Sequence, residues 1–239
     1  MKLLICPISK ESHKNDTLVV HSLNDIIRHA EIDKHEVDYF FTLNNQTALP
    51  VVYNKLIAKA DKEKYDWLVI CHDDIYINTV DLANYLDRRY FDFDVIGVAG
   101  ASEIKLQSLA LWHLMGGGFG SKNLHGAVTH IYSNDLNPHS HLHSKKHITA
   151  FGIYPHRVVV LDGVFLAMRV DKVKDIKADE TNPSKYHFYD LDFVLTCHKN
   201  RLKIGVGDIM ITHQSHGLKE FTQEWKEGER WFLNKWKTK

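Results

Sequence analysis

Residues Tyr65 to Asn78 read Y-D-W-L-V-I-C-H-D-D-I-Y-I-N, and the abrupt change of character at position 72 constrains this chain more than any other feature. Trp67 to Cys71 is an unbroken apolar run, the pattern of a strand covered on both faces in the middle of a parallel α/β sheet. It stops at His72-Asp73-Asp74. In open α/β sheets the ligand crevice lies beyond the carboxyl ends of the strands, so the triplet is predicted to fall at the chemical end of the fold. Two adjacent carboxylates in a partly desolvated crevice repel each other unless a cation or strong donor compensates them, and the triplet contains no Lys or Arg. A divalent cation is the expected partner. An acidic turn after a strand is the alternative reading of the triplet taken alone.

The flanking sequence extends this strand into an alternating pattern. Lys2 to Ile8 reads as a first buried strand. Val19, Leu23, Ile26, Ile27 and Ala30 follow at helical spacing, with Asn15 or Asp16 placed to cap them. Glu36 to Leu43 is a second strand closed by Asn44-Asn45, and Val52, Leu56, Ile57 and Ala60 mark a second helix with Pro50 in its first turn. This β-α-β-α-β order predicts a mostly parallel sheet flanked by helices. Thr79 is placed to cap a third helix with Val80, Ala83, Leu86 and Tyr90 on its apolar face, and Val95 to Ala99 makes another strand.

From Gly100 to Tyr154 the periodicity fails, and a functional loop with short strands is expected there. Gly116, Gly117, Gly118 and Gly120 read as a flexible loop, because neither a dinucleotide fingerprint nor a Walker spacing is present. His139, His141 and His143 alternate as zinc ligands on an extended segment would, although a solvated loop is the expected state. Asp162-Gly163 interrupts the apolar run Val158 to Met168, and a carboxylate there needs a partner. Asp190 and Asp192 open a helix whose face is Leu191, Val194, Leu195 and His198, where helix capping is the plain reading. Lys203 to Val206 and Asp208 to Thr212 read as closing strands. Leu218, Phe221, Trp225, Phe232 and Trp236 then form an amphipathic stripe expected to pack back on a domain spanning residues 1–217, with peripheral membrane contact as the alternative for 218–239.

Composition narrows the function classes. Among 239 residues, 30 basic and 30 acidic side chains cancel, which argues against a nucleic-acid partner. Cys6, Cys71 and Cys197 sit in apolar contexts as core residues, which suits a reducing compartment. The start M-K-L-L-I-C-P is too short for a signal peptide, and the longest other apolar run falls short of the ~20 residues of a membrane span. A soluble cytoplasmic protein is expected.

Taken in order, the Y-N-K-L-I-A-K-A helix, H-D-D-I, V-I-G-V-A-G, L-D-G-V-F-L-A, F-Y-D-L-D-F and I-T-H-Q-S resemble the GT-A (Rossmann-like) glycosyltransferases of family 2. The likeness runs from about Lys2 to Gly217 and is nearest to the group related to the streptomycin-biosynthesis glycosyltransferase domain. It implies a nucleotide-diphosphate-sugar donor, with a UDP-sugar favoured, and a glycan or other hydroxyl acceptor. The family's D-x-D motif falls on His72-Asp73-Asp74, making Asp74 a metal ligand and placing Asp73 by the ribose or a metal-bound water. The late histidine of the metal shell falls on His213. The likeness puts the donor nucleotide against Pro7, Ser9, Asn44, Asn54, His72 and Asp73, with Asn44 where family members often carry an acidic residue. The sugar and acceptor would meet Asp162, Gly163 and Asp192. Asp190 falls on the base position, and Tyr189 stands where an acidic residue is usual.

A neutral imidazole beside carboxylate and phosphate oxygens favours Mn²⁺ over Mg²⁺. Asp190, beside a cation and a helix N-terminus, is expected to have a low pKa and to act as base in a single displacement that inverts the anomeric centre. A metal-dependent phosphoesterase and a nucleotide-sugar-binding module without catalysis are the competing readings.

Overall fold

The computed structural model describes residues 1–107, 109–131, 146–214 and 220–237. β1 (Lys2–Ile8), α1 (Val20–Ile32), β2 (Glu36–Tyr39), α2 (Leu49–Lys62) and β3 (Trp67–His72) realise the β-α-β-α-β order. β1 pairs parallel with β2 and β3, with Cys6 opposite Ile70. The two-residue period of the strands sorts their side chains between two cores. Leu3, Ile5, Trp67 and Val69 bury against Leu23, Ile26 and Ala30 of α1, while Leu4, Cys6, Leu68 and Ile70 bury against Val52, Leu56, Ile57 and Ala60 of α2. That two-sided burial is why both strands read as continuous apolar runs.

Several boundaries differ from expectation. β2 ends at Tyr39, leaving Thr42 in an isolated bridge to Ile8. Asn15 and Asp16 lie in a single 3₁₀ turn and do not cap α1; the first turn is tied instead by the Val19 amide, which donates to the Asp73 carbonyl at 3.1 Å. Thr79 caps nothing, because its hydroxyl accepts from the Met210 amide, and the third helix, α3, runs Leu82–Arg88. The single strand expected over Val95 to Ala99 is two, β5 (Val95–Gly97) and β6 (Ala99–Ala101), which belong to different sheets.

The first sheet has the order β2-β1-β3-β11-β5-β12-β9, where β9 is His156–Arg157, β11 Phe165–Arg169 and β12 Ile204–Val206. The expected parallel pairing holds for β2-β1-β3 and β5-β12, but β11 is inserted antiparallel between β3 and β5. The second sheet runs β10-β6-β7-β13-β4, with β4 Ile75–Ile77, β7 Leu124–Ile131, β10 Val160–Leu161 and β13 Ile211–Gln214. β8 (Lys146–Gly152) pairs antiparallel with β7. These two long strands occupy much of the segment expected to be irregular. His139, His141 and His143 lie outside the described residues.

Short helices Trp112–Met115 (α4) and Val170–Val173 (α5) precede α6 (Tyr189–Lys199) and α7 (Gln223–Lys237). Trp225 and Phe232 of α7 bury against Phe188, with ring centroids 5.2 and 5.9 Å away. The aromatic stripe therefore faces the domain, while Leu218 lies outside the described residues. Among the described residues no helix is long and apolar enough to cross a membrane.

Candidate active site

β3 delivers His72 to the rim of the first sheet, and the turn through Asp73 and Asp74 carries the chain into β4 of the second. β13 lies antiparallel to β4 with His213 opposite Ile75, and the Gln214 amide donates to the Asp74 carbonyl at 2.8 Å. Two residues far apart in sequence are thereby fixed side by side. His213 Nε2 lies 3.3 Å and His72 Nδ1 3.7 Å from Asp74 Oδ1, and one ligand atom from each residue fits within 4.8 Å of the others.

Among the described residues, Asp74 Oδ1 and His213 Nε2 are buried without a hydrogen-bond partner, although they lie 3.3 Å apart. Leaving a buried donor or acceptor unmet is costly, and two converging orphans beside an imidazole are the donor set of a divalent ion. Burial works to raise the Asp74 carboxyl, but His213, His72 and a backbone amide together hold the group below its ordinary value. Burial likewise disfavours His213 protonation, and Asp74 outweighs it to raise the imidazole. Each group is thus biased to its charged form when only the other is present, the situation a cation relieves by displacing the imidazole proton.

Tyr189 stands where the resemblance leads one to expect an acidic residue. Its buried hydroxyl lies 3.1 Å from His72 Nε2, and burial holds the phenol well above its ordinary pKa. A proton on Nε2 shared with that oxygen leaves the Nδ1 lone pair directed at Asp74, the outer-shell arrangement that orients metal-binding histidines.

Asp73 turns the other way and accepts from the Ser9 hydroxyl; burial raises its carboxyl. Ser9, Asp73 and His72 line a crevice of about 350 Å³ with Lys10, Asn45 and Tyr186. The Lys10 ammonium lies 4.6 Å from the centre of the Tyr186 ring. An adjoining cleft of about 260 Å³ shares His72, Tyr186 and Tyr189 and adds Trp112, Asp162 and Asp190.

In this cleft Asp162 accepts from Trp112 Nε1 at 2.8 Å and from the Val164 amide at 3.0 Å, which answers the need for partners in an apolar strand. Gly163 donates its amide to Asp190 Oδ2 at 2.9 Å. A Cβ at Gly163 would meet the Asp190 Cβ and the Tyr189 hydroxyl oxygen at 2.7 Å, so the approach of strand to helix requires glycine. Phe188, before α6, adopts a left-handed φ of 63° that swings the helix start toward this point. The Asp190 carboxyl is pushed up to about 6, first by burial and then by the charge of Asp162; the backbone amides of Leu191, Gly163 and Asp190 oppose this without cancelling it.

The expected site residues therefore divide. His72, Asp73, Asp74, His213 and Ser9 converge, as do Asp162, Gly163 and Asp190. Pro7 is buried in β1 opposite Cys71, beneath the crevice. Asn44 is exposed with φ 50°, and its neighbour Asn45 lines the crevice in its stead. Asn54 holds the loop after α5, accepting from the Ala178 amide and donating to Glu180. Asp192 is buried against α7, accepting from Lys235 Nζ and Trp236 Nε1, both at 2.8 Å, and does not face the cleft. Trp112 and Tyr186, which sequence reasoning left unassigned, carry no local signal beyond being aromatics near glycine or acidic positions.

A sequence profile for the "Glycosyltransferase like family" matches residues 12–236. No curated protein matches the chain. Among solved structures, A197 from STIV aligns at 12% identity and TM-score 0.48, over 90% of this chain and 86% of its own. HddC from Yersinia pseudotuberculosis aligns at 12% and 0.38, over 97% and 99%. A glycosyltransferase involved in the glycosylation of the major capsid of PBCV-1 aligns at 10% and 0.44, over 98% and 100%. The profile match, spanning nearly the whole chain, carries the assignment. A mixed sheet flanked by helices, with the acidic turn of β3 at its rim, is consistent with the GT-A fold, and the chain belongs to the glycosyltransferase-like family.

Proposed function

We propose that this protein is a metal-dependent, inverting glycosyltransferase. It moves a sugar from a nucleotide-diphosphate sugar, with UDP the favoured nucleotide, to a hydroxyl of a glycan or similar acceptor. The subgroup related to streptomycin biosynthesis is the nearest by motif. The observation that carries the reading is a pair of adjoining clefts that share His72 and Tyr189, one lined by Asp74 of the His72, Asp74 and His213 donor set and the other by Asp190.

The three donors would hold Mn²⁺ or Mg²⁺, which when bound would neutralise the charge developing on a diphosphate leaving group. Ser9, Asp73 and Tyr186 line the space for the nucleoside, and Lys10 supplies a cation at its mouth. Asp162, locked by Trp112 and the Val164 amide, presents a fixed carboxylate to the sugar hydroxyls. Asp190 accepts the acceptor's proton as that oxygen bonds to the anomeric carbon and the bond to the diphosphate breaks on the opposite face. Its pKa of about 6 leaves it ionised at neutral pH yet more basic than an ordinary carboxylate, which is the compromise general-base catalysis favours.

The test is nucleotide release from a panel of sugar nucleotides with Mn²⁺, with and without candidate acceptors. Acceptor-stimulated release with inversion of the anomeric centre is expected. Hydrolysis of simple phosphate esters instead would identify a phosphoesterase, and donor binding without turnover a binding module.

A further inference from the structure

Beside the cleft, four aromatic side chains stand in sequence. Trp112 donates its indole N–H to Asp162 and sets its ring edge-on to Phe151 at 4.8 Å. Phe151 stacks on Phe119 with centroids 5.9 Å apart and planes 20° from parallel, and Phe119 lies tilted against His113 at 5.1 Å and 33°. Phe119 is 70% exposed. Folding gains little from a phenyl ring left this far in water, and exposed apolar surface that adjoins a polar cleft marks a ligand groove. The ring sits in the loop after α4, where Gly118 and Gly120 take φ of 81° and 83°.

We propose that Phe119, Phe151 and His113 form the acceptor platform, and that the acceptor is a carbohydrate of at least two rings. One ring would present its hydroxyl to Asp190, and the next would lie with its C–H face on the aromatic surface. This rests on the glycosyl-transfer reading and names its acceptor. The chemistry that favours a sugar is an exposed aromatic ring, Phe119, supported by Phe151 and His113, because an aromatic face matches the apolar face of a pyranose. The neighbouring Asp162 carboxylate and His113 imidazole offer partners to its rim of hydroxyls. Trp112 joins the two halves, since the same side chain orients Asp162 and abuts Phe151.

The experiment is saturation-transfer NMR on the full chain, using as probes the methyl glycosides of glucose, galactose and mannose, methyl glycosides of their disaccharides, and octyl β-glucoside. At least one disaccharide is expected to bind more tightly than its monosaccharide. Its Kd should rise about tenfold in Phe119→Ala and in Phe119→Leu and be kept in Phe119→Trp. Phe119 is exposed, so all three variants should keep the wild-type Tm. Three results would overturn the platform: no disaccharide binding that depends on Phe119, wild-type affinity in Phe119→Leu, or a gain for octyl over methyl glucoside that Phe119→Ala abolishes, which would assign the strip to an alkyl chain. Nucleotide release by the wild-type protein reads the transfer reaction separately, so failure of one does not pass for failure of the other.

Discussion

Asp190 is costly where it stands. Its carboxyl binds a proton more readily folded than unfolded, with a pKa of about 6 against an ordinary 3.8, so by linkage its contribution to stability falls as pH rises through that window. Asp190→Asn, which can still accept from the Gly163 amide, should raise Tm by a few degrees at pH 7.5 and leave it unchanged near pH 4, as read by calorimetry. The same variant should cut turnover by roughly 10² to 10⁴-fold with donor and metal affinity nearly intact. In the wild type at saturating Mn²⁺, kcat should climb with pH and level off above about 6, because the base must be ionised. A pH profile flat between 5 and 7 would remove Asp190 from the reaction. The position of Asp190 was legible in the F-Y-D-L-D-F run, but its pKa was not. The helix start and a cation argue for a low value, whereas burial, which only the folded chain reveals, and then Asp162, a charge that β10 and the following turn bring near, raise it. The partition of Asp190 from Asp192 is plain helix geometry, since residues two apart point about 200° away from each other.

The amphipathic stripe of α7 predicted packing, and Trp225 and Phe232 pack as the pattern requires. The polar side chains between them were illegible, because the partners of a charge on one helix lie wherever the chain returns. Glu224 accepts from the Lys185 amide at 2.7 Å and Glu229 from the Ala110 amide at 3.0 Å, segments that lead into Tyr189 and Trp112 respectively. Lys235 meets Asp179 at 2.6 Å and Asp192 at 2.7 Å. Burial works to raise the Asp179 carboxyl, but Lys235 and Thr181 hold it down at about 2, whereas burial leaves the deeper Asp192 net raised. Lys235→Met would strand two carboxylates, one almost fully buried, and should cost about 3 kcal/mol in urea denaturation. Asp192→Asn keeps the Lys235 to Asp179 pair and should cost less, about 1 to 2 kcal/mol. If Asp192→Asn lost turnover without losing stability, Asp192 would belong to the reaction and not to this clamp.

Across the whole molecule, the first three strands and their helices were readable because two-sided burial writes continuous apolar runs. The second sheet was readable only in part, at β10 and β13. β7 and β8 mix His, Thr and Gly into strands with partly exposed faces, so periodicity fails, and Val95 to Ala99 reads as one strand though its two ends serve different sheets. The proposed metal centre sits where those sheets meet, with Asp74 leaving the first and His213 closing the second. Mn²⁺ should therefore stabilise the fold, by about 2.7 kcal/mol at a hundredfold excess over Kd. Asp74→Ala and His213→Ala should abolish or sharply reduce that gain, and His213→Ala should weaken Mn²⁺ more than Mg²⁺. Equal melting of wild type and Asp74→Ala across a manganese titration would remove the triplet from metal binding.

Placing the last ligand on β13 also sets an order in time. A chain emerging from the ribosome presents His72, Asp73 and Asp74 early and Asp190 much later, yet lacks His213 until nearly the whole domain has been made. On the proposed reading, a nascent chain holds an incomplete donor set throughout most of its synthesis. Cation capture then becomes a late event, and a chain interrupted before β13 would carry the base and the acidic turn without the centre that unites them.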